Sequence, residues 1–226
     1  MSGPIRLAVF DCDGTLIDSQ GIVVAAMRAA FEAEGLVVPE APAVRHVVGL
    51  PLVEAILRLA PDAPDAERLA ERYRDAYGDR FGLPEFQEPL FAGAVAALDD
   101  LARAGYVLGI ATGKGRRGLL RLLDRHGLTA RFATLQTADD GPGKPSPDML
   151  LRAMAETAAE PAATVMIGDT TYDIHMACNA RVASIGVAWG YHAAGDLRAA
   201  GASELVEDFA ALPALIERMV RGRQCA

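Results

Sequence analysis

Ile5-Arg-Leu-Ala-Val-Phe-Asp11-Cys-Asp13-Gly14-Thr15-Leu-Ile-Asp-Ser19 runs from an apolar segment straight into two carboxylates and a glycine. An apolar run of this length suits a strand buried on both faces, and charged residues at its end point to a rim where the strand stops. Four more such runs follow: Val107 to Ala111, a weaker one at Phe132 to Leu135, Thr164 to Ile167, and Ala183 to Val187. Helical patterns lie between them or beyond, at about 92–104, 116–126, 146–158, 171–180 and 208–220. Strands that alternate with helices predict an α/β fold, a Rossmann-like parallel sheet with helices on both faces.

One stretch breaks the alternation. From Ser19 to about Phe81 no strand is evident. Val23, Met27, Ala30 and Phe31 form an apolar stripe at helical spacing, as do Leu52, Ala55, Ile56 and Leu59, and again Leu69, Tyr73, Ala76, Tyr77 and Phe81. Ser19 is the expected N-cap of the first of these helices. Prolines at 39, 42, 51, 61 and 64 punctuate the connections. This predicts a small helical insertion over 18–87 after the first strand, with 1–17 and 88–226 forming the α/β domain.

Composition bounds the function. The 226 residues carry 22 Lys and Arg against 30 Asp and Glu, a net charge of −8, with 51% hydrophobic and 23% charged residues. That is a globular balance, and its acidity argues against general nucleic-acid binding, which needs a basic footprint. No stretch approaches the roughly 18 apolar residues of a membrane span, and the N-terminal residues lack a signal-peptide layout. Three scattered cysteines, Cys12, Cys178 and Cys225, suit a reducing cytoplasm better than a disulfide framework.

In open α/β sheets ligands bind beyond the carboxyl ends of the strands. Those ends carry Asp11 to Thr15, then Thr112-Gly113-Lys114-Gly115, then Gly168-Asp169-Thr170-Thr171-Tyr172-Asp173, with Gly143-Lys144-Pro145 in between. Asp11 and Asp13 would repel each other if the strand continued through both. A divalent cation removes that cost, and a hard oxygen donor set suggests Mg²⁺, with Asp169 as a further ligand. A capping turn at the strand end, Asp13-Gly14, is the plainer alternative. Lys144 among these carboxylates would stay charged, neutralise phosphate oxygens and orient an Asp nucleophile. Thr112 precedes a helix start, where free N–H groups favour an anion. Gly113-Lys-Gly115-Arg-Arg-Gly118 also fits the dinucleotide fingerprint, with Asp139 and Asp140 about twenty residues on. That reading leaves Asp11, Asp13, Lys144, Asp169 and Asp173 without a purpose.

Taken in order, Asp11-Cys-Asp13-Gly14-Thr15-Leu16, Thr112-Gly113, Lys144-Pro145 and Gly168-Asp169-x-x-x-Asp173 resemble the four motifs of the haloacid dehalogenase superfamily. The helical insertion resembles that superfamily's small cap, and the resemblance extends from Ile5 to about Val206. Asp11 to Ser19, Gly49-Leu50-Pro51 and Val187 to His192 look most like its phosphoglycolate phosphatase-like branch. The resemblance implies Asp11 as nucleophile, giving an aspartyl-phosphate, and Asp13 as the acid and base. It implies Mg²⁺ held by Asp11, Asp169 and the Asp13 backbone carbonyl. Thr112, Gly113 and Lys144 would hold the phosphoryl group, and Asp173 would orient Lys144 and the metal's waters. An acid at Asp13 favours alkoxide leaving groups over halide, hence phosphoesters over dehalogenation. Cys12 departs from the family's usual apolar residue; in an alternating strand its thiol points away from the site.

The implied partner is a small phosphorylated metabolite, without nucleic acid or membrane, for a monomer or a homodimer. A phosphoglucomutase-like transfer on the same core is the alternative, and it would differ in how the cap retains the intermediate. A phospho-acceptor receiver domain shares the acids, Thr and Lys but would be shorter and capless. Arg45, His46 and Gly49 are the cap's candidates for substrate contact. Lys114, Arg116 and Arg117 form a basic cluster at the expected entrance. Tyr191 and His192 are placed near the cap–core cleft with no chemical role assigned.

Overall fold

The structure is a computed structural model, and it describes residues 4–224. Its centre is a six-stranded sheet in which every pairing is parallel. The strands are β1 Arg6–Phe10, β2 Tyr106–Ala111, β3 Thr134–Gln136, β4 Thr164–Gly168, β5 Ala183–Val187 and β6 Glu204–Val206, in the spatial order β3-β2-β1-β4-β5-β6. Five of them correspond to the expected apolar runs. The sixth, β6, has only three residues, one exposed, one half-buried and one buried, so it has no apolar run to announce it. The α/β class is as expected from the alternation.

Parity in β1 assigns the two faces of the sheet. Ala8, Phe10 and Cys12 point to one side, where they join Leu98, Leu101, Leu122 and Ile216. Those residues come from α5 Ala94–Arg103, α6 Arg116–Arg125 and α10 Leu212–Gln224. Leu7 and Val9 point to the other, against Met149, Leu150, Ala153 and Met176 of α7 Asp148–Thr157 and α8 Thr171–Asn179. Both faces are thus covered, as a buried parallel sheet requires. Cys12 packs on the far side from Asp11, and burial pushes its thiol pKa up. Cys225 lies outside the described residues.

Four helices fill the segment between β1 and α5: α1 Gln20–Ala33, α2 Ala41–His46, α3 Leu52–Leu59 and α4 Ala66–Arg80. The three expected stripes pack on one another through Val23, Met27, Phe31, Ile56, Leu69 and their neighbours, a core separate from the sheet's. α2 was not expected; it is six residues long, has a proline near its start and buries only Val44. α9 Ala194–Ala199, also unexpected, buries only Leu197. Ser19 stands at the N-cap position of α1 as expected, but its side chain makes no cap bond. Its backbone (φ −103, ψ 9) is not the extended form a side-chain cap uses. Its hydroxyl instead lies 3.0 Å from the hydroxyl of Tyr191.

The chain leaves β1 toward β2 and β3, then returns to build β4, β5 and β6 on the opposite side. The order therefore reverses at β1 and β4, and such a reversal opens a crevice at the strands' carboxyl ends. Asp11 and Asp169 are the residues that follow those two strands.

Candidate active site

Asp11 extends the ladder by one bond, its N–H donating to the carbonyl of Ile167 at 2.8 Å. It shares the parity of Leu7 and Val9, so its carboxylate is on the side of α7 and α8, where Lys144 and Asp173 arrive. The strand does not continue through Asp13. The chain turns back, with the N–H of Gly14 donating to Ile17 O (2.8 Å) and that of Leu16 to Cys12 O (3.0 Å). Gly14 carries the turn at φ +82, and a Cβ there would lie 2.3 Å from Asp169 Oδ2 and 2.4 Å from the Tyr191 ring. Only glycine meets both demands.

Asp169 is fixed by two donors. The Thr15 hydroxyl donates to Oδ1 at 2.7 Å and the Tyr191 N–H to Oδ2 at 2.8 Å. Asp173 closes a capping box at the start of α8: its Oδ2 accepts from the N–H (3.0 Å) and hydroxyl (2.7 Å) of Thr170. Its other oxygen, Oδ1, lies 2.5 Å from Lys144 Nζ, and Lys144 Nζ lies 2.9 Å from Asp11 Oδ2. The lysine is fully buried between them. It comes from the loop before α7, where the carbonyl of Pro145 accepts from Asn179 Nδ2 at 2.9 Å.

Burial sets the electrostatics. It pushes the Asp11 carboxyl up to about 7, against the pull of Lys144. It also holds the Asp169 carboxyl well above the usual range, with the charges of Asp11 and Asp173 adding to the effect. Burial alone would lower the pKa of Lys144, but Asp11 and Asp173 outweigh it and raise that pKa, so the ammonium stays charged. Fully ionised, three buried carboxylates with one buried ammonium would carry two negative charges, the amount a divalent cation balances. Ligand atoms of Asp11, Asp169 and Asp173 all lie within 4.8 Å of one another. The donor set is oxygen only, which fits Mg²⁺. The Asp13 carboxylate is not in this cluster.

Asp13 turns instead to Lys114, whose Nζ lies 3.3 Å from Asp13 Oδ1 and donates to the hydroxyl of Tyr77 at 2.9 Å. That hydroxyl donates in turn to Glu88. Asp13, Lys114, Tyr77 and Glu88 thus form a chain from the β1 turn through α4 to the segment returning to the core. Burial opposes the charge on Lys114, but Asp13 outweighs it and keeps the amine protonated. The sequence reading put Lys114 in a basic cluster at the entrance. The only signal for an inner place was its position two residues past Thr112 at a strand end. Thr112 is buried and its hydroxyl accepts from the N–H of Lys114 at 3.2 Å, which leaves its own O–H to donate.

Above Asp11 and Asp13 opens a cleft of about 760 Å³ between this rim and the helical segment. Thr112, Gly113, Lys114 and Gly49 line it. A Cβ on Gly113 would lie 2.8 Å from the carbonyls of both Gly49 and Leu50, so the Gly49-Leu50-Pro51 turn sits directly on the second motif. Arg45 is not brought here: it is exposed and lines a separate hollow beside α1 and Pro39. His46 stacks on His192 at 4.8 Å between ring centroids, and His192 Nε2 donates to the carbonyl of His46 at 3.1 Å. His192 Nδ1 accepts from the Thr171 N–H at 3.1 Å, and burial lowers the ring's pKa, so it is a neutral bridge between core and helices. Arg117 lines the cleft, whereas Arg116 pairs with Asp140 at 2.8 Å. Asp139, the acid a dinucleotide fingerprint would give to a ribose, accepts from the Arg116 N–H at 2.8 Å and so caps α6.

Comparison with known proteins agrees with this layout. The sequence profile described as haloacid dehalogenase-like hydrolase matches residues 8–187. "Probable phosphatase IndB" of Dickeya dadantii is 35% identical over 207 residues, covering 90% of each chain. "Phosphoglycolate phosphatase" of Agrobacterium fabrum is 32% identical over 222 residues, covering 95% of this chain and 94% of its own. The crystal structure of a hydrolase from Pseudomonas syringae superposes with a TM-score of 0.83 at 29% identity, covering 94% of this chain and 98% of its own. With the profile spanning 180 of the 226 residues, the chain belongs to the haloacid dehalogenase-like hydrolases.

Proposed function

We propose that this chain is an Mg²⁺-dependent phosphatase that hydrolyses a small phosphorylated metabolite through an aspartyl-phosphate on Asp11. The observation that carries the reading is the Asp11 carboxylate on the floor of a cleft, with Lys144 and two more buried carboxylates behind it. The names of the relatives support phosphatase chemistry. In this reading residues 18–87 act as the cap and 1–17 with 88–226 as the core.

Asp11 and Asp169, with the backbone carbonyl of Asp13, would hold the ion. When bound, Mg²⁺ would supply positive charge that offsets the carboxylates and the charge developing on the phosphoryl group. The rest falls to the chain. An Asp11 oxygen attacks phosphorus, and the alkoxide leaves with a proton from Asp13. Asp13 then takes a proton from the water that hydrolyses the intermediate. Lys144 and the Thr112 hydroxyl offer donors to the phosphoryl oxygens as charge builds on them. Asp173 acts through Lys144, and Lys114 holds Asp13 in place. The helical segment closes the cleft and excludes bulk water.

The test is phosphate release from a panel of phosphorylated metabolites, with Mg²⁺ and with excess chelator. Release that vanishes on chelation is expected; release that persists in chelator would remove the metal from the reading. A pH effect should accompany it. The Asp11 carboxyl sits at about 7, so below that pH it is protonated and the ion must displace a proton. Apparent Mg²⁺ affinity is therefore expected to weaken as pH falls through about 7, with proton uptake by the buffer at about pH 6.5. Calorimetry in two buffers of different ionisation enthalpy reads that proton. An affinity flat across this range would contradict the raised Asp11 carboxyl.

A further inference from the structure

The cleft over Asp11 has two unlike parts. Its floor is charged and hydrogen-bonded. Its walls are apolar: Val23, Met27, Val47, Leu50, Val53 and Tyr73 all line it, and all come from the helical segment. Its volume of about 760 Å³ falls among pockets that enclose drug-sized ligands, roughly 300–1,000 Å³. A two-carbon leaving group would leave most of it unfilled.

The placement of cations matters as much. A leaving group with its own carboxylate needs a positive partner once buried, because an unpaired buried charge is strongly disfavoured. Lys144 is engaged by Asp11 and Asp173, and Lys114 by Asp13 and Tyr77. Besides Lys114, the cations lining the cleft are Arg74, Arg117 and Arg121, all exposed. The exposed acids Glu67, Asp75, Asp79 and Asp139 line it too, so the outer part carries three positive and four negative groups. Arg121 also stacks on Phe81, 4.3 Å from the ring centroid. Among the described residues, then, the inner chamber offers no uncommitted cation and its outer part no net positive field.

We infer that the leaving group is an uncharged alcohol with a bulky apolar or aromatic body, and that short hydroxy-carboxylate esters such as phosphoglycolate are poor substrates. The inference rests on the phosphatase reading above and narrows it to a substrate class. The phosphoryl group binds at the floor, and the alcohol's body fills the chamber between the helical walls. In the reaction the P–O bond to that alcohol breaks as the bond to Asp11 forms, and the alcohol departs with the proton from Asp13.

Esters matched in everything but the alcohol test it. Ethyl, benzyl and 4-carboxybenzyl phosphate, together with phosphoglycolate, are compared by kcat/KM with Mg²⁺ present. Benzyl phosphate is expected at least about tenfold above ethyl phosphate, from the burial of its ring. It is expected to exceed 4-carboxybenzyl phosphate by a similar factor, because the added carboxylate would bring an unpaired charge into the chamber. Val53→Lys, which places an ammonium on the wall, should narrow or reverse that second ratio. Phosphoglycolate or 4-carboxybenzyl phosphate cleaved as well as benzyl phosphate would overturn the inference while leaving the phosphatase reading standing. No cleavage of any ester would reject the phosphatase reading. The chamber is then read by binding alone: benzylphosphonate tighter than phosphonoacetate by about tenfold upholds the apolar chamber, and equal or reversed affinities overturn it.

Discussion

The Asp11→Asn protein is expected to fold normally and to hydrolyse phosphate esters at least about 10³-fold more slowly than the parent chain. The amide has the shape of the carboxylate, so packing at the end of β1 is kept. It lacks the oxygen nucleophile that would form the bond to phosphorus. The folding half of this expectation follows from the electrostatics. Asp11 is buried with Asp169 and Asp173 nearby, and its carboxyl is already pushed up to about 7. Removing one of three crowded carboxylates relieves repulsion in the metal-free protein, although it also removes one partner of Lys144. The thermal midpoint without metal should therefore stay level or rise, and a melt followed by circular dichroism measures it. Activity and stability are thus expected to part company. Turnover within about tenfold of the parent would reject covalent catalysis by Asp11.

The sequence was most informative where chemistry follows local rules. Parity along β1 puts Asp11 and Cys12 on opposite faces, and that much needs only the alternation of a strand. The polar residues at the ends of β1, β2 and β4 converge because a parallel sheet brings its carboxyl ends to one edge. Short or half-exposed elements were not legible. β6, α2 and α9 bury one residue each, so none leaves a periodic trace. Contacts that depend on how the helical segment lies over the core were also hidden. Lys114 meets Tyr77 from α4, and Tyr77 meets Glu88; no spacing rule relates those three positions. Arg45 shows the reverse. Its closeness in sequence to Gly49 suggested the cleft, but α2 directs it to the far side of α1. Ser19 had the right residue type for a cap, yet the turn's dihedrals and Tyr191 claimed its hydroxyl.

Replacing Lys144 with methionine is the harsher change, because it removes the positive charge and leaves its partners in place. Lys144 is fully buried, 2.9 Å from Asp11 and 2.5 Å from Asp173. Breaking a buried ion pair by deleting one partner costs about 3–5 kcal/mol. For a chain of this size that corresponds to a thermal midpoint lower by on the order of 10 °C. The loss should depend on pH in a definite direction. Without the ammonium the buried carboxyls bind protons more tightly in the folded state than in the unfolded one. The folded protein then holds more protons, so its stability falls as pH rises through the raised values. Asp11 sits at about 7 even with Lys144 present, so the deficit should be smaller at about pH 6 than at about pH 8. Saturating Mg²⁺ should recover part of the stability, since a divalent cation can balance the same carboxylates. Activity should not return with it, because the phosphoryl oxygens have lost their donor, a loss of about 10²–10³-fold in kcat. Lys144→Arg keeps the charge but must fit a planar, larger head into a filled space, so it is expected to restore stability only in part. A Lys144→Met protein that melts with the parent at pH 8 and without metal would show that this ammonium does not hold the carboxylates together.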